Sequence, residues 1–336
     1  MLGGRLLGMD LTALESVIAD AAEPDYRARQ VWEWVARGAG SYAEMTNLSL
    51  ALRERLASEV PISSLTLSRT ARSRDGTEKA LFETIDGRPV EAVLMRYRDG
   101  RRSVCLSSQS GCPLTCAFCA TGRMSFGRNL SASEILDQAL HFRREGEINH
   151  AVFMGMGEPM MNLDAVFAAC ERLPDAGVSG AHTTVSTVGW VPGIERMARE
   201  GPSVRLALSL HAAEDAVRSE LMPVNERYPL AEVLESCRAW HAARRRKVFI
   251  EYLMLAGVND RPEQAMALAA ALTPSRAFKV NLIPYNPTGT GFEGSSREAI
   301  ESFRAVLRRE GVPATVRLTR GRDIDAACGQ LAASVA

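Results

Sequence analysis

The chain has 336 residues, 46% hydrophobic and 24% charged, with Lys+Arg and Asp+Glu balanced at 40 each. That is the composition of an ordinary globular protein, long enough for one large domain and a smaller one. It excludes a collagenous or strongly basic chain, so a nucleic-acid site has to be a local basic patch in a neutral whole.

No stretch approaches the roughly 20 apolar residues that span a bilayer. The start, Met1-Leu-Gly-Gly-Arg, has no apolar core ahead of a small-residue cleavage site. A cytoplasmic, reducing setting is therefore expected. Seven cysteines, an odd number unevenly spread, do not suit a secreted disulfide framework. In a reducing compartment, clustered cysteines point instead to metal or catalysis.

Residues 10–60 read as helical, with Leu11, Leu14, Val17 and Ile18 at helical spacing. A second helix is expected over 28–36, presenting Val31, Trp32 and Val35, and a third over 50–57. The period then changes. Residues 64–97 hold short alternating runs, Leu81-Phe-Glu-Thr-Ile and Val90-Glu-Ala-Val-Leu, around the hairpin turn Asp86-Gly87. This divides the chain into a helical N-terminal domain (1–62), a β-meander connector (63–97) and a main body (98–336).

In the main body strand-like and helix-like runs alternate. Strands are predicted at 103–107, 151–154, 183–187, 205–209, 248–253, 279–283 and 315–318. Helices are predicted between them, at 132–144, 164–172, 191–199, 230–243, 263–272 and 297–308. This rhythm predicts an α/β fold of parallel strands with right-handed crossovers. Six or so units are too few to close an eight-stranded barrel, so a partial (β/α)6 barrel is expected, with functional residues at the strand C-termini.

The stretch Ser110-Gly-Cys-Pro-Leu-Thr-Cys-Ala-Phe-Cys-Ala-Thr-Gly sets Cys112, Cys116 and Cys119 in a C-x3-C-x2-C pattern after the first barrel strand. Three thiolates on one short loop can ligate three irons of a [4Fe–4S] cube and leave the fourth iron open for a chelating cofactor. The alternatives are a zinc site or chance spacing. A zinc knuckle wants a fourth Cys or His, and none follows within twenty residues.

With Phe118 between the last two cysteines, and with specific motifs from Pro24-Asp-Tyr-Arg-Ala-Arg-Gln-Val to Cys328-Gly-Gln-Leu, the sequence resembles the radical S-adenosylmethionine (SAM) superfamily. Within it, the chain resembles the RlmN/Cfr family of RNA adenine methyltransferases over nearly its whole length. The resemblance implies a radical SAM barrel with Cys112, Cys116 and Cys119 holding a [4Fe–4S] cluster. Gly157 and Glu158, in Gly155-Met-Gly-Glu-Pro159, would contact SAM, and so would Ser186, Ser209, Leu210, His211 and Asn286 near strand C-termini. Taken singly, a Ser at a strand end is more often a cap and a buried His more often a satisfied core group.

Cys105 and Cys328 match the family's two catalytic cysteines, and Glu91 its proton acceptor. Otherwise each Cys is a small buried hydrophobe, the reading kept for Cys170 and Cys237, and Glu91 is an exposed strand carboxylate sharing a face with Val93. The chemistry explains the pair. An adenine amidine carbon is electrophilic, so SAM cannot methylate it by direct displacement. The family mechanism uses two SAM per turnover, one to methylate a cysteine, here Cys328, and one to make a radical that activates that methyl group. The methyl carbon adds to the ring, Glu91 takes the ring proton, and Cys105 frees the product by forming a disulfide with Cys328.

The implied substrates are 23S ribosomal RNA and tRNA, with an electron donor of the flavodoxin or ferredoxin kind, no membrane, and a monomeric enzyme. Arg27, Arg29, the run 96–102 and Arg244-Arg-Arg-Lys247 are candidate phosphate contacts. Leu318-Thr-Arg-Gly-Arg-Asp323 looks like the branch that methylates C2, whereas Leu221-Met-Pro-Val-Asn-Glu-Arg-Tyr-Pro also suits C8 methylation. A radical SAM enzyme with a non-RNA substrate and a non-catalytic zinc or RNA-binding protein are the rival classes.

Overall fold

The computed structural model describes residues 11–332. The opening pentapeptide, read above for a leader, and residue 10 of the first helical run lie outside the described residues. Three helices come first: α1 (Leu11–Asp20), α2 (Tyr26–Ala36) and α3 (Leu50–Glu59). Their predicted apolar positions are buried, among them Leu14, Val17, Ile18, Val31, Trp32 and Val35. Trp32 also reaches out of this unit, donating its indole N–H to Asp175 Oδ2 at 2.7 Å.

An antiparallel meander follows, β1 (Leu65–Arg72), β2 (Glu78–Thr84) and β3 (Pro89–Arg96). Its tight turn places Gly87 at φ +74°, a left-handed backbone that glycine adopts without strain. Then come β4 (Arg102–Cys105), a short ribbon of β5 (Gln109–Ser110) and β6 (Arg128–Asn129), α4 (Ala132–Arg144), β7 (His150–Phe153) and α5 (Leu163–Arg172). The chain continues through β8 (Thr183–Thr187), α6 (Val191–Glu200), β9 (Arg205–Ser209), α7 (Asp215–Leu221), α8 (Leu230–Arg244) and β10 (Val248–Met254). It ends with α9 (Pro262–Ala271), β11 (Phe278–Pro284), α10 (Arg297–Arg309) and β12 (Ala314–Val316).

One sheet of ten strands runs in the order β1-β2-β3-β4-β7-β8-β9-β10-β11-β12. From β4 onward every pairing is parallel. The result is an open barrel of six βα units and a seventh, final strand, as the alternating rhythm leads one to expect. The meander is not set apart from it: β3 pairs antiparallel with β4 and extends the same sheet. Helix α7 was not predicted, because seven residues carry too little periodic signal to stand out from a loop.

Strand β3 is covered on both faces. Val90, Ala92 and Leu94 join the main core, whereas Val93 packs with Cys105, Met156, Ala326 and Leu331. The exposed-strand reading of Glu91 therefore fails: its residue is 1% accessible. Helix α4 anchors the other face, with a Ser131–Glu134 capping box and the buried stripe Ile135, Ala139 and Phe142. Phe142→Ala would open a cavity that close-packed strands cannot fill. Urea unfolding should show a loss of about 3–5 kcal/mol; a loss below 1 kcal/mol would mean that the sheet collapses onto the gap.

Candidate active site

The cysteine loop springs from the C-terminal end of β4 and is bracketed by the β5–β6 ribbon. Cys112, Cys116 and Cys119 line an open-mouthed cleft of about 150 Å³, together with Gly157, Glu158, Ser186, Ser209, His211 and Cys328. Burial pushes the Cys112 thiol up to about 12 and Cys116 well above the ordinary range, so thiolates here need a cation to hold them. The backbone N–H groups of Leu114 and Gly157 are aimed at the Cys112 sulfur.

The three sulfurs do not all lie within 4.8 Å of one another, and among the described residues no further His, Cys, Asp or Glu completes a tight set with them. A single tetrahedral zinc holds its sulfurs about 4 Å apart. The wider spacing fits a cube that presents one iron to each thiolate and keeps one iron open. The donor set thus suits a [4Fe–4S] cluster and not a lone ion.

Gly157 sits at φ +95°, and a Cβ there would meet Gln109 Cβ at 2.5 Å, so only glycine lets this loop pass so close to the β5 strand. Glu158 is buried; its Oε1 accepts from Met160 N at 3.0 Å and its Oε2 from Val188 N at 3.0 Å. Burial lifts its carboxyl to about 7 against those bonds. Ser186 and Ser209, at the ends of β8 and β9, face each other with Oγ atoms 3.4 Å apart.

His211 holds a left-handed backbone, φ 59°, which a non-glycine residue adopts only where its surroundings enforce it. Its Nδ1 accepts the N–H of Leu253 at 3.0 Å, which leaves Nε2 as the proton-bearing nitrogen of a neutral ring. The ring stacks edge-on against Phe118, the aromatic of the cysteine motif. Burial, with Arg218 adding, lowers His211 to about 3. Two residues expected in this shell stand apart from the cleft. Leu210 is wholly buried in the core, and Asn286 lies in the adjoining chamber, its Nδ2 donating to Cys328 O at 3.3 Å.

Cys328 lines both the cleft and that second chamber, where Cys105 lies with Met95 and Leu331. Both cysteines are free thiols. Burial pushes Cys105 up to about 12; Cys328 adds to this and Arg317 opposes it. Glu91 is held by Lys79 Nζ at 2.9 Å and by Ala332 N at 2.9 Å, on the Val93 face that looks toward the chamber.

Arg317 and Glu251 were not read from the sequence. Arg317 borders cleft and chamber alike, donates to Glu251 Oε2 at 3.5 Å and meets Met154 Sδ at 3.3 Å. Its guanidinium is held in the charged form first by the Cys328 sulfur and then, against burial, by Glu251. The available signal was a charge inside an apolar strand run, Glu251 between Ile250 and Tyr252.

The basic runs are largely committed to structure. Arg244 Nη2 binds the carbonyls of Met197 and Gly201 at the end of α6, and Arg246 binds Ser203. Residues 244–247 precede β10 and so lie at the strand N-termini, opposite the cleft. Arg96 pairs with Glu78 and Glu145, and Arg29 with Glu33.

The His211 geometry has a pH signature. Unfolding restores the imidazole to its ordinary value of 6.5 from about 3, so the unfolded chain binds more protons between those values. Stability from this group is full above pH 6.5 and falls as pH drops toward 3, by up to about 1.4 kcal/mol per pH unit. His211→Gln can still accept the Leu253 N–H and has no such slope. The stability gap between the two proteins should therefore shrink on moving from about pH 7.5 to about pH 5; a constant gap would mean that His211 is not held neutral.

Comparison with known proteins agrees with this geometry. Residues 106–269 match the family described as the radical SAM superfamily, and residues 5–62 match the ribosomal RNA large subunit methyltransferase N-terminal domain. The chain is 46% identical over 342 residues to the probable dual-specificity RNA methyltransferase RlmN of Heliobacterium modesticaldum, covering 97% of this chain and 89% of that one. It is 46% identical over 335 residues to the dual-specificity RNA methyltransferase RlmN of Anaeromyxobacter dehalogenans, covering 95% and 89%. The crystal structure of a radical SAM methyltransferase from Sphaerobacter thermophilus matches it with a TM-score of 0.91 at 44% identity, over 96% of this chain and 98% of that one. A three-cysteine cleft at the open end of a partial barrel, a matching N-terminal domain and relatives alike over nearly their full length lead to one conclusion: the chain belongs to the RlmN family of the radical SAM superfamily.

Proposed function

We propose that this protein methylates carbon 2 of an adenine in 23S ribosomal RNA and, as a second substrate, the adenine beside the tRNA anticodon. The carrying observation is that Cys328 borders both the cleft of the three cluster cysteines and the chamber that holds Cys105. A methyl carrier needs access to the cofactor on one side and to a resolving thiol on the other. Bound at Cys112, Cys116 and Cys119, a [4Fe–4S] cluster with SAM supplies the methyl group and the one-electron chemistry, two SAM being used per turnover.

The chain's own residues do the rest. Gly157, Glu158, Ser186, Ser209 and His211 line the cleft where SAM would be held. Cys328 sulfur accepts the methyl group, losing its thiol proton as the methyl leaves the sulfonium, and Arg317 borders the same cleft. One hydrogen atom leaves the Cys328-bound methyl group for the radical that the cofactor would supply, and the carbon so opened bonds to C2 of the adenine, joining enzyme to RNA; the odd electron left on the adduct would return to the cofactor. Glu91 takes the C2 proton, and Cys105, giving up its thiol proton, attacks Cys328 sulfur; the disulfide forms, the carbon–sulfur bond breaks, and its electron pair takes up a proton to complete the new methyl group. An external reductant reopens the disulfide.

An electron donor of the flavodoxin or ferredoxin kind, a monomeric enzyme, a reducing cytoplasm and an RNA-binding role for residues 1–62 belong to the same reading. No helix among the described residues is long and apolar enough to cross a membrane. The adenine must leave its stack to enter the cleft.

Anaerobic reconstitution, reaction with SAM and unmodified 23S RNA, and mass spectrometry of the digested RNA test the proposal. The expected product is 2-methyladenosine. Appearance of 8-methyladenosine would move the reaction to the other carbon; cleaved SAM with unmodified RNA would remove the RNA substrate. Cys328→Ala should lose methylation altogether, whereas Cys105→Ala should leave RNA covalently attached to protein, visible as a nuclease-sensitive shift on a denaturing gel. Full turnover by the Cys105→Ala protein would rule out Cys105 as the resolving thiol.

A further inference from the structure

Helix α7 carries Arg218, whose residue is 0% accessible. Its guanidinium donates from Nε to Leu210 O at 3.3 Å, from Nη1 to Asn225 Oδ1 at 2.6 Å and from Nη2 to Val188 O at 2.5 Å. All three acceptors are uncharged. A carboxylate enters this network only one step further out, where Asp215 Oδ1 accepts from Asn225 Nδ2 at 2.9 Å and from Leu230 N at 2.8 Å. A cation withdrawn from water onto neutral partners is costly unless an anion lies close by. Burial draws this guanidinium down to about 10, opposed first by the Asp215 carboxylate and then by the Cys116 and Cys237 sulfurs.

Beyond Asp215, the anionic group this wall faces is the cysteine loop. Arg218 stands one helical turn before Leu221, whose carbonyl accepts the N–H of Ala117, next to Cys116, at 2.9 Å. Val188, whose carbonyl Arg218 binds, lines the cleft and packs in one apolar cluster with Cys116 and Leu221. The Arg218 charge opposes the upward push that burial gives the Cys116 thiol. A cluster held by three thiolates is anionic and gains one more negative charge on reduction. A fixed cation in a low-dielectric wall therefore favours the reduced form.

We propose that Arg218 is a positioning charge for the iron–sulfur cluster, set behind Cys116 so as to raise the cluster's reduction potential. This rests on the cluster reading of Cys112, Cys116 and Cys119. Asp215 works in the opposite sense, damping the cation through Asn225. The pairing of opposite signs separates an electrostatic role from a merely structural one.

The test is an anaerobic redox titration of reconstituted protein without RNA, followed by the EPR signal of the reduced cluster, with iron, sulfide and melting temperature measured for each protein. Arg218→Gln should shift the midpoint to lower potential, and Arg218→Lys should return it toward the wild-type value. Asp215→Asn keeps an oxygen for the Asn225 and Leu230 N–H groups and should shift the midpoint to higher potential. Midpoints unchanged in Arg218→Gln and Asp215→Asn at full cluster content overturn the assignment. So does a fall in both Arg218 variants with no rise in Asp215→Asn, the pattern of a structural role. If Arg218→Gln takes up no cluster, Asp215→Asn decides: a rise supports the proposal and no rise overturns it. A wild-type protein that takes up no cluster overturns the cluster reading and this inference with it.

Discussion

Ala120 donates its backbone N–H to Gly329 O at 2.8 Å, and Thr121 donates its hydroxyl to Leu331 O at 2.5 Å. These bonds join the cysteine loop to a segment more than 200 residues further along the chain, and the arrangement of the site follows from them. Gln330 Nε2 binds Pro287 O, and Arg322 binds both Asn286 Oδ1 and Tyr285 O, so the loop after β11 is tied into the same seam. Thr288 closes it by donating to Phe118 O at 3.0 Å. The seam carries Cys328 back to the mouth of the barrel and turns one cysteine into a wall shared by two cavities. Without it Cys328 would sit on a tail with no geometric relation to Cys112, Cys116 and Cys119.

The second constraint is burial of charge. Parallel strands covered by helices present dry interiors, and the polar groups at their C-terminal ends have to be satisfied locally. Glu158 is fed by two backbone N–H groups, His211 by the Leu253 amide, and Glu251 by Arg317 and by Asn281 Nδ2 at 2.8 Å. Each bond fixes the position of a group that lines the cleft. Arg317 lines the cleft and Arg218 lies buried behind Val188, in walls where burial pushes the Cys112 and Cys116 thiols up. The same dry walls that make unpaired thiolates costly make those two cations effective.

Much of the fold was legible in the residues. The seven barrel strands and six of the helices lie where the alternation of apolar periods puts them, because strand and helix periods differ and the βα rhythm allows one handed crossover. The short α7 and the β5–β6 ribbon escaped, since seven and two residues carry no readable period. The cysteine loop was legible because three ligands fall within eight residues. The basic run at 244–247 has structural partners that its sequence does not announce: Arg244 closes the end of α6, as long cationic side chains near free helix carbonyls do, and Arg246 binds Ser203 in the loop beyond it.

What the sequence by itself determined is the local chemistry: which strands form, which loop carries the thiols, and the alternation that sets Glu91 on the Val93 face of β3. Those depend on neighbours close in the chain, through dihedral preference, period and spacing. Only the tertiary structure decided that both faces of β3 are covered, that Asn286 holds the Cys328 carbonyl outside the cleft lining, and that Arg317 and Arg218 stand beside sulfur. Those relations join residues tens to hundreds of positions apart. They arise when the sheet curls and the C-terminal segment closes over its open end, since burial and electrostatic contact depend on distance through space and not on separation along the chain.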